Sequence, residues 1–371
     1  ESGKITPGQA GLLMMFTVLG TANLVMPALT SRYAQTDAWM TIILSFLPHV
    51  LLIMVIYRIG QTFSQESMVC QLRKITGKFL GAVVTLGYIW YLVYSTAVIT
   101  RTVSEFLLTV FMPDTPIEMF IIVMLFLGAS VIRSGLEVLA RAAIFIAPIF
   151  FASFGLIFVL LIGEIELSNL TPFLEHGFTP VLQGTIYPTI WRGNFILMLI
   201  IWPYLNKPEQ AFKSMMQAAV IIVMVVLPIT VASTAIFGPL VSYLRFPTFE
   251  LAEYIDLAGF ITRLDAVFMA VWIGGAFIKI GVYYYCLCLM FSEFFGLKEY
   301  RCTVYPFGII VGALVIFIAP NMAVFDNSFT SVLVPLNLIF EFIVPCGLLG
   351  LIYLRGLHKR KRGETNGHKQ A

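Results

Sequence analysis

Long apolar stretches alternate along the chain with short polar intervals. Residues 8–30, 38–57, 79–100, 142–163, 214–244 and 302–325 contain no Asp, Glu, Lys or Arg. Charge-free runs longer than about 18 residues are the primary signal for membrane helices. A shorter run, 119–132, reaches that length when it begins near Pro116 and leaves Glu118 at its wet end. Three more stretches are interrupted by one charge each: 181–205 by Arg192, 266–292 by Lys279 and 327–354 by Glu341. The pattern predicts an all-α integral membrane domain of ten transmembrane helices over residues 1–357, followed by a basic cytoplasmic tail, 358–371. The first apolar run resembles a secretory signal, but its length and the bundle behind it favour a retained helix.

Composition agrees with the pattern. The 371 residues are 59% hydrophobic and 12% charged, with a formal charge of +3, and the mean hydropathy is +0.91. Soluble domains carry roughly a quarter of their residues as charges, so neither a soluble enzyme nor a nucleic-acid binder fits. Assigned to alternating loops, Lys4, Arg58, Arg73, Lys74, Lys78, Arg133, Arg141, Lys207, Lys213, Lys298, Arg301 and the tail fall on one side. The positive-inside rule makes that side cytoplasmic, with both termini there. The other side holds Arg32, Arg101, Arg245 and Arg263 with Glu105, Asp114, Glu164, Glu166, Glu175, Glu250, Glu253 and Asp256.

Candidate soluble chemistry is sparse. Cys70, Cys286, Cys288, Cys302 and Cys346 form no disulfide framework, and Cys286 and Cys288, roughly 200° apart around a helix, do not converge on a metal. His49, His176, His358 and His368 lack any HExxH context, and neither a Walker A nor a GxGxxG motif occurs. No cofactor and no metal is expected. Met68, Val69, Leu72 and Ile75 recur at helical spacing and predict an interfacial helix. Leu251, Tyr254, Ile255 and Ala258 predict a second on the outer side, among Glu250, Glu253 and Asp256. His49, beside Pro48, reads as a hydrogen-bonded buried imidazole, and Tyr283, Tyr284 and Tyr285 read as interface anchors.

Two spans are predicted to break. In the first, Gly20, Thr21, Ala22 and Asn23 precede Pro27, and in the sixth Arg192, Gly193, Asn194 and Phe195 lie between Pro188 and Pro203. Gly, Thr and Asn are poor helix formers, and Pro cannot donate a backbone hydrogen bond. Ten spans divide into five and five, and because five is odd the second half enters the membrane in the opposite sense. Spans one and six are then equivalent members of an inverted repeat, the sequence pointer to a midplane binding site built from discontinuous helices. Half-helix ends offer N–H groups to an anion and carbonyls to an amine. Close packing of helices over Gly20 and Gly193 accounts for the same residues equally well.

Lys279 and Glu341 lie near the centres of long spans, where insertion scales charge about 2.5–3.5 kcal/mol for a lone charge. Lys279 could occupy the place that a coupling cation takes in sodium-driven transporters of this architecture, or form a structural pair with Glu341, or snorkel. Both are candidates for proton or ion coupling. Arg192 would meet a ligand carboxylate if it lies inside, and would reach the outer interface if span six is shifted. Tyr91 shares a face with Tyr88 and Tyr94 in span three and could gate a pocket; core or interface packing is the plainer reading.

Several local sequences are similar to one known family. Leu19-Gly20-Thr21-Ala22-Asn23 with Met26-Pro27, Thr36-Asp37-Ala38-Trp39, Leu170-Thr171-Pro172-Phe173 continuing to Gly177, and Pro203-Tyr204-Leu205 resemble the B subunits of endospore germinant receptors, the spore germination permease family. Arg263-Leu264-Asp265 through Trp272, Phe277-Ile278-Lys279 and Leu297-Lys298-Glu299-Tyr300-Arg301 resemble its eighth span and following loop. The likeness runs from about Gln9 to Leu357. It implies a 5+5 inverted-repeat fold of the amino acid–polyamine–organocation (LeuT/amino-acid-permease) type, in the spore inner membrane or cell membrane. It also implies a nutrient sensor that binds a small polar, amino-acid-like molecule and works with A and C receptor subunits. A proton-coupled amino acid transporter is the alternative. Two departures stand out: Ala22 where relatives often have a second glycine, and Gly193-Asn194 where many have Gly-Glu. The second removes a carboxylate from the span-six break and puts amine recognition there in question; sugars or ions as co-germinants stay open.

Overall fold

The computed structural model describes residues 3–255, 264–319, 324–325 and 329–357, and these are almost entirely helical. The expected tail 358–371 lies outside the described residues, as do Asp256, Ala258 and Arg263. Among the described residues, seven helical stretches are long and apolar enough to cross a membrane: Ala22–Thr62, Lys78–Val110, Ile117–Ser134, Leu136–Glu164, Pro208–Ser242, Ala270–Phe295 and Ser331–Leu354. The first of these joins three helices across a turn, and Pro7–Leu19 and Arg301–Phe317 are shorter apolar helices. Exposed Phe79, Phe145 and Phe317 cover the outside, as suits a surface whose solvent is hydrocarbon.

Helix α1 (Pro7–Leu19) starts with a capping box, the Gln9 amide donating to Thr6 Oγ1 at 3.2 Å and the Thr6 amide to Gln9 Oε1 at 2.8 Å. It stops at Gly20, and α2 (Ala22–Ala34) resumes after Thr21, whose φ of −140° is not helical. The interruption is therefore two residues wide, Gly20 and Thr21. Ala22 and Asn23, expected within it, already belong to the first turn of α2. The cause is packing: a Cβ on Gly20 would lie 2.8 Å from the Gly275 carbonyl and 3.0 Å from Lys279 Cβ. The chain crosses the neighbouring helix here at backbone distance.

Beyond a turn at Gln35 follow α3 (Ala38–Leu44), α4 (Phe46–Thr62) and α5 (Met68–Thr76). Helix α5 buries Met68, Val69, Leu72 and Ile75 and leaves Arg73 and Lys74 exposed, the arrangement read from its periodicity. Helix α6 (Lys78–Val110) runs a full ten residues past the apolar stretch that predicted it. Helices α7 (Ile117–Ser134) and α8 (Leu136–Leu161) complete the first half.

The sixth stretch differs from the expectation of an unwound break. It comprises α9 (Thr179–Gly184), α10 (Ile186–Gly193), a 3₁₀ turn at Asn194–Ile196 and α11 (Leu197–Ile201). Gly193 (φ −57°, ψ −24°) and Asn194 (φ −51°, ψ −19°) keep right-handed helical geometry. The helix tightens rather than opens, because small changes of ψ suffice for i to i+3 pairing. The segment also ties back to the N-terminus, where the Ile5 amide donates to the Tyr204 carbonyl at 2.9 Å.

Helix α12 (Ala211–Phe237) packs on α1 and α2, and α13 (Pro247–Glu253) ends before Tyr254 and Ile255, which the periodicity places on the outer helix. Helix α14 (Leu264–Phe295) is the axis of the molecule, in contact with α1, α6, α7 and α8. Helix α15 (Arg301–Phe317) precedes a C-terminal helical run in which Phe329–Leu333 and Leu338–Ile343 are π-helical. Such widened turns commonly mark functional sites, and the second one carries Glu341.

Candidate functional site

The interruption between α1 and α2 is closed from two sides by side chains. Thr21 Oγ1 accepts a hydrogen bond from Lys279 Nζ of α14 at 2.8 Å and another from Trp191 Nε1 of α10 at 3.0 Å. Lys279 is buried, so its ammonium meets Thr21 instead of reaching an interface by snorkelling. One step away, Asn194 Nδ2 donates to the Thr17 carbonyl of α1 at 2.7 Å, and Tyr283 OH of α14 donates to Asn194 Oδ1 at 2.7 Å. The 3₁₀ turn of the sixth stretch thereby docks on the last turn of α1.

A second cluster lies behind the first. Tyr91 OH of α6 donates to Glu341 Oε1 at 2.6 Å and sits 3.4 Å from Tyr283 OH. Glu341 is completely buried, and its Oε2 has no hydrogen-bond partner among the described residues. It reaches the sixth stretch only because Gly193 lacks a side chain: a Cβ there would overlap Glu341 Oε2 and lie 2.7 Å from its Cδ. Lys279 and Glu341 form no direct ion pair among the described residues. They belong to two clusters, Lys279 with Thr21 and Trp191, and Glu341 with Tyr91, Tyr283 and Asn194.

Above these clusters is a cavity of about 110 Å³. Its floor is Thr21, Trp191, Asn194, Lys279 and Tyr283, and it continues along α2 as far as Arg32 and along α6 from Ser95 to Glu105. Eleven residues of α2 correspond to roughly 16 Å at a rise of 1.5 Å per residue, so the cavity leads from the interruption towards the end of α2 predicted to be outer. The buried Ser95 Oγ and Asn337 Oδ1 line it and have no partner among the described residues. Unpaired polar atoms on the wall of a cleft are what a small polar ligand or water would satisfy.

Of the residues predicted from the sequence, Thr21, Asn194 and Lys279 line the cavity. Gly20 and Gly193 supply close approach, and Ala22 is buried in the first turn of α2. Asn23 is fully buried, with neither Oδ1 nor Nδ2 partnered among the described residues. Tyr91 and Glu341 stand behind the floor. Arg192 lies inside, 1% exposed, but not on the cavity wall, and Phe195 packs edge-on against His49 with ring centroids 4.4 Å apart.

Three sequence expectations need correction. Arg101 and Glu105, sorted to the outer surface, lie within α6, where Arg101 Nη2 and Glu105 Oε1 pair at 2.5 Å with both residues buried. Their i, i+4 spacing on one helix face was the available signal. Tyr283, Tyr284 and Tyr285 are buried around the axis of α14 and anchor no interface. His49 is buried, but neither ring nitrogen has a hydrogen-bond partner among the described residues. Ser95, Trp191 and Asn337 carried no signal at all, since a single polar residue in an apolar span shows its role only when the facing helix is known.

Comparison with known proteins places this geometry. The family model described as "Spore germination protein" matches residues 4–323. Spore germination protein KB of Bacillus subtilis (strain 168) is 28% identical over 378 aligned residues, covering 100% of this chain and 99% of that protein. Spore germination protein YndE of the same organism is 26% identical, covering 98% and 99%. Among solved structures, MhsT in complex with L-phenylalanine aligns with a TM-score of 0.65 at 13% identity, covering 95% of this chain and 99% of that one. Mhp1, a nucleobase-cation-symport-1 family transporter with bromovinylhydantoin bound, aligns with a TM-score of 0.62 at 13% identity, covering 92% and 78%. At such identities the two structures speak for the fold alone, the LeuT-type transporter fold.

Proposed function

Because the chain belongs to the spore germination protein family, we propose that it is a nutrient-sensing membrane subunit of a germinant receptor, binding a small polar, amino-acid-like molecule at the membrane midplane. The observation that carries this reading is the polar floor of the cavity, where Lys279 and Trp191 converge on Thr21 and Tyr283 holds Asn194. The ammonium of Lys279 would face a ligand carboxylate, and Ser95 and Asn337 would take up its remaining polar groups. A cavity of about 110 Å³ admits only a small molecule. The LeuT-type relative solved with L-phenylalanine offers an amino acid as precedent.

Ten crossings with both termini cytoplasmic belong to this proposal, as do residence in the spore inner membrane and association with A and C subunits. Binding would shift an equilibrium between two arrangements of the cavity that the partner subunits detect. Such coupling needs only a few kcal/mol of differential affinity between the states.

One observation favours proton-coupled transport as a second reading: the buried Glu341 sits in a π-helical turn, hydrogen-bonded to Tyr91 and linked through Tyr283 to the cavity floor. Proteoliposomes containing this chain alone separate the two. Sensing predicts a saturable thermal shift with an amino acid and no concentrative uptake under an imposed proton gradient. Concentrative uptake of the same amino acid would establish the transporter instead, and the absence of any saturable shift across amino acids would sink both.

A further inference from the structure

Arg192 is 1% exposed, and neither Nη1 nor Nη2 has a hydrogen-bond partner among the described residues. A guanidinium is charged at any accessible pH and offers donors only. Buried without a counter-charge, it is among the most costly groups a protein can enclose. Glu341, whose carboxyl approaches the neighbouring Gly193, bonds Tyr91, and among the described residues no carboxylate forms an ion pair with Arg192.

The local helix geometry says where Arg192 points. Through the 3₁₀ turn at Asn194–Ile196, residues three apart eclipse one another, which puts Arg192 on the face of Phe195. That face meets α4, because the His49 ring stands edge-on to the Phe195 ring. His49 is itself completely buried, with both ring nitrogens unpartnered among the described residues. Whichever nitrogen carries the proton, a neutral imidazole contributes one N–H donor. Two buried side chains, from α4 and α10, therefore carry donors without an acceptor among the described residues, and neither lines the cavity.

We propose that Arg192 and His49 form a buried site for a small inorganic anion, a halide such as chloride, between α4 and α10 and separate from the ligand cavity. A halide supplies both the missing acceptor and the missing negative charge; an ordered water would supply only the acceptor. The near-complete enclosure of both side chains favours a single-atom ion over a carboxylate or phosphate. The site does not depend on the germinant reading, since neither residue lines the cavity. Its consequence is structural, fixing the α10 end of the sixth stretch against α4 whenever the anion is present.

Thermal unfolding of the purified full chain in potassium chloride, bromide or gluconate, at equal ionic strength, tests the site. Chloride and bromide are expected to raise the midpoint saturably by several degrees, because an ion that binds only the folded state stabilises it. Gluconate, too large for the enclosure, is expected to do nothing. Arg192→Met should abolish the halide response and, in gluconate, should be no less stable than the unsubstituted protein, since the unpaired charge has gone. His49→Phe should keep the response with half-saturation raised at least about threefold, the size expected from one hydrogen bond. Equal midpoints in chloride and gluconate for the unsubstituted protein would overturn the proposal, leaving water as the occupant. A halide response that survives Arg192→Met would overturn it equally, and if that variant does not fold, an unchanged half-saturation in His49→Phe would do so.

Discussion

The two interruptions of the helical framework are built differently. Between α1 and α2 the chain leaves helical geometry at Thr21, and the hydroxyl exposed there takes a cation, Lys279. In the sixth stretch the backbone never leaves helical geometry, and the space left by Gly193 takes a carboxylate, Glu341. The amine at the first interruption faces the cavity, whereas the carboxyl at the second lies behind the floor to which Asn194 belongs. A repeat that is symmetric in topology has become asymmetric in the side chains that fill its two interruptions.

The largest effect that would test this asymmetry comes from Lys279→Met. Lys279 is one of two donors to Thr21 Oγ1, in a hydrogen bond from a charged group worth about 1.5–3 kcal/mol, and its removal would take the cation from the cavity. Ligand-induced thermal shift is expected to vanish, with membrane insertion intact. Glu341→Gln should leave the shift in place, because Glu341 does not line the cavity. Equal loss in both variants would mean that the two charges act as one unit, and an unchanged response in Lys279→Met would remove it from recognition.

Next in size are the two glycines. A Cβ on Gly20 meets the backbone carbonyls of Gly275 and Phe16, each at 2.8 Å, and backbone cannot swing aside. A Cβ on Gly193 meets the side chain of Glu341, at 2.7 Å from Cδ and 2.8 Å from its Cβ. Gly20→Ala is therefore expected to destabilise by about 3 kcal/mol, the upper end for overpacking, and Gly193→Ala by about 1–2 kcal/mol. Only the second should be coupled to Glu341. Chemical denaturation of Gly193→Ala, Glu341→Ala and the double variant should give a coupling energy of at least about 0.5 kcal/mol. Additive effects would show that Gly193 does not exist to admit Glu341.

This difference also marks how far the sequence could be read. Both glycines and both charges were visible, because a charge within twenty apolar residues and a helix-poor tetrapeptide at mid-span are local facts. Which charge meets which interruption is a tertiary fact, set by the packing of α14 against α1 and by the π-helical turn at Leu338–Ile343. Charge sorting failed at Arg101 and Glu105 for a related reason. Once paired in a helix, two opposite charges can stay buried, so a charge at the end of an apolar run does not mark the end of the span. The same logic hid Ser95 and Asn337, whose unpaired atoms matter only because α6 and the C-terminal run face a common space. His49 shows the limit from the other side: a lone buried imidazole was legible, but its lack of a partner was not.

The smallest effect separates the cavity from the cluster behind it. Tyr91→Phe removes the hydroxyl that donates to Glu341 Oε1 and lies 3.4 Å from Tyr283 OH. Glu341 Oε2 is already unpartnered among the described residues, so the variant strips the carboxyl of its remaining side-chain donor, at a cost of about 1–3 kcal/mol. Tyr283 keeps its bond to Asn194 and with it the floor of the cavity. If the two interruptions are independent, stability falls while the half-saturation of the ligand-induced shift changes by less than about threefold, under 0.7 kcal/mol. A tenfold change in half-saturation would mean that Tyr91 transmits the state of Glu341 through Tyr283 to the floor. The chain of hydroxyls would then be a coupling element between the halves of the repeat, and the carboxylate behind the floor would belong to the ligand site after all.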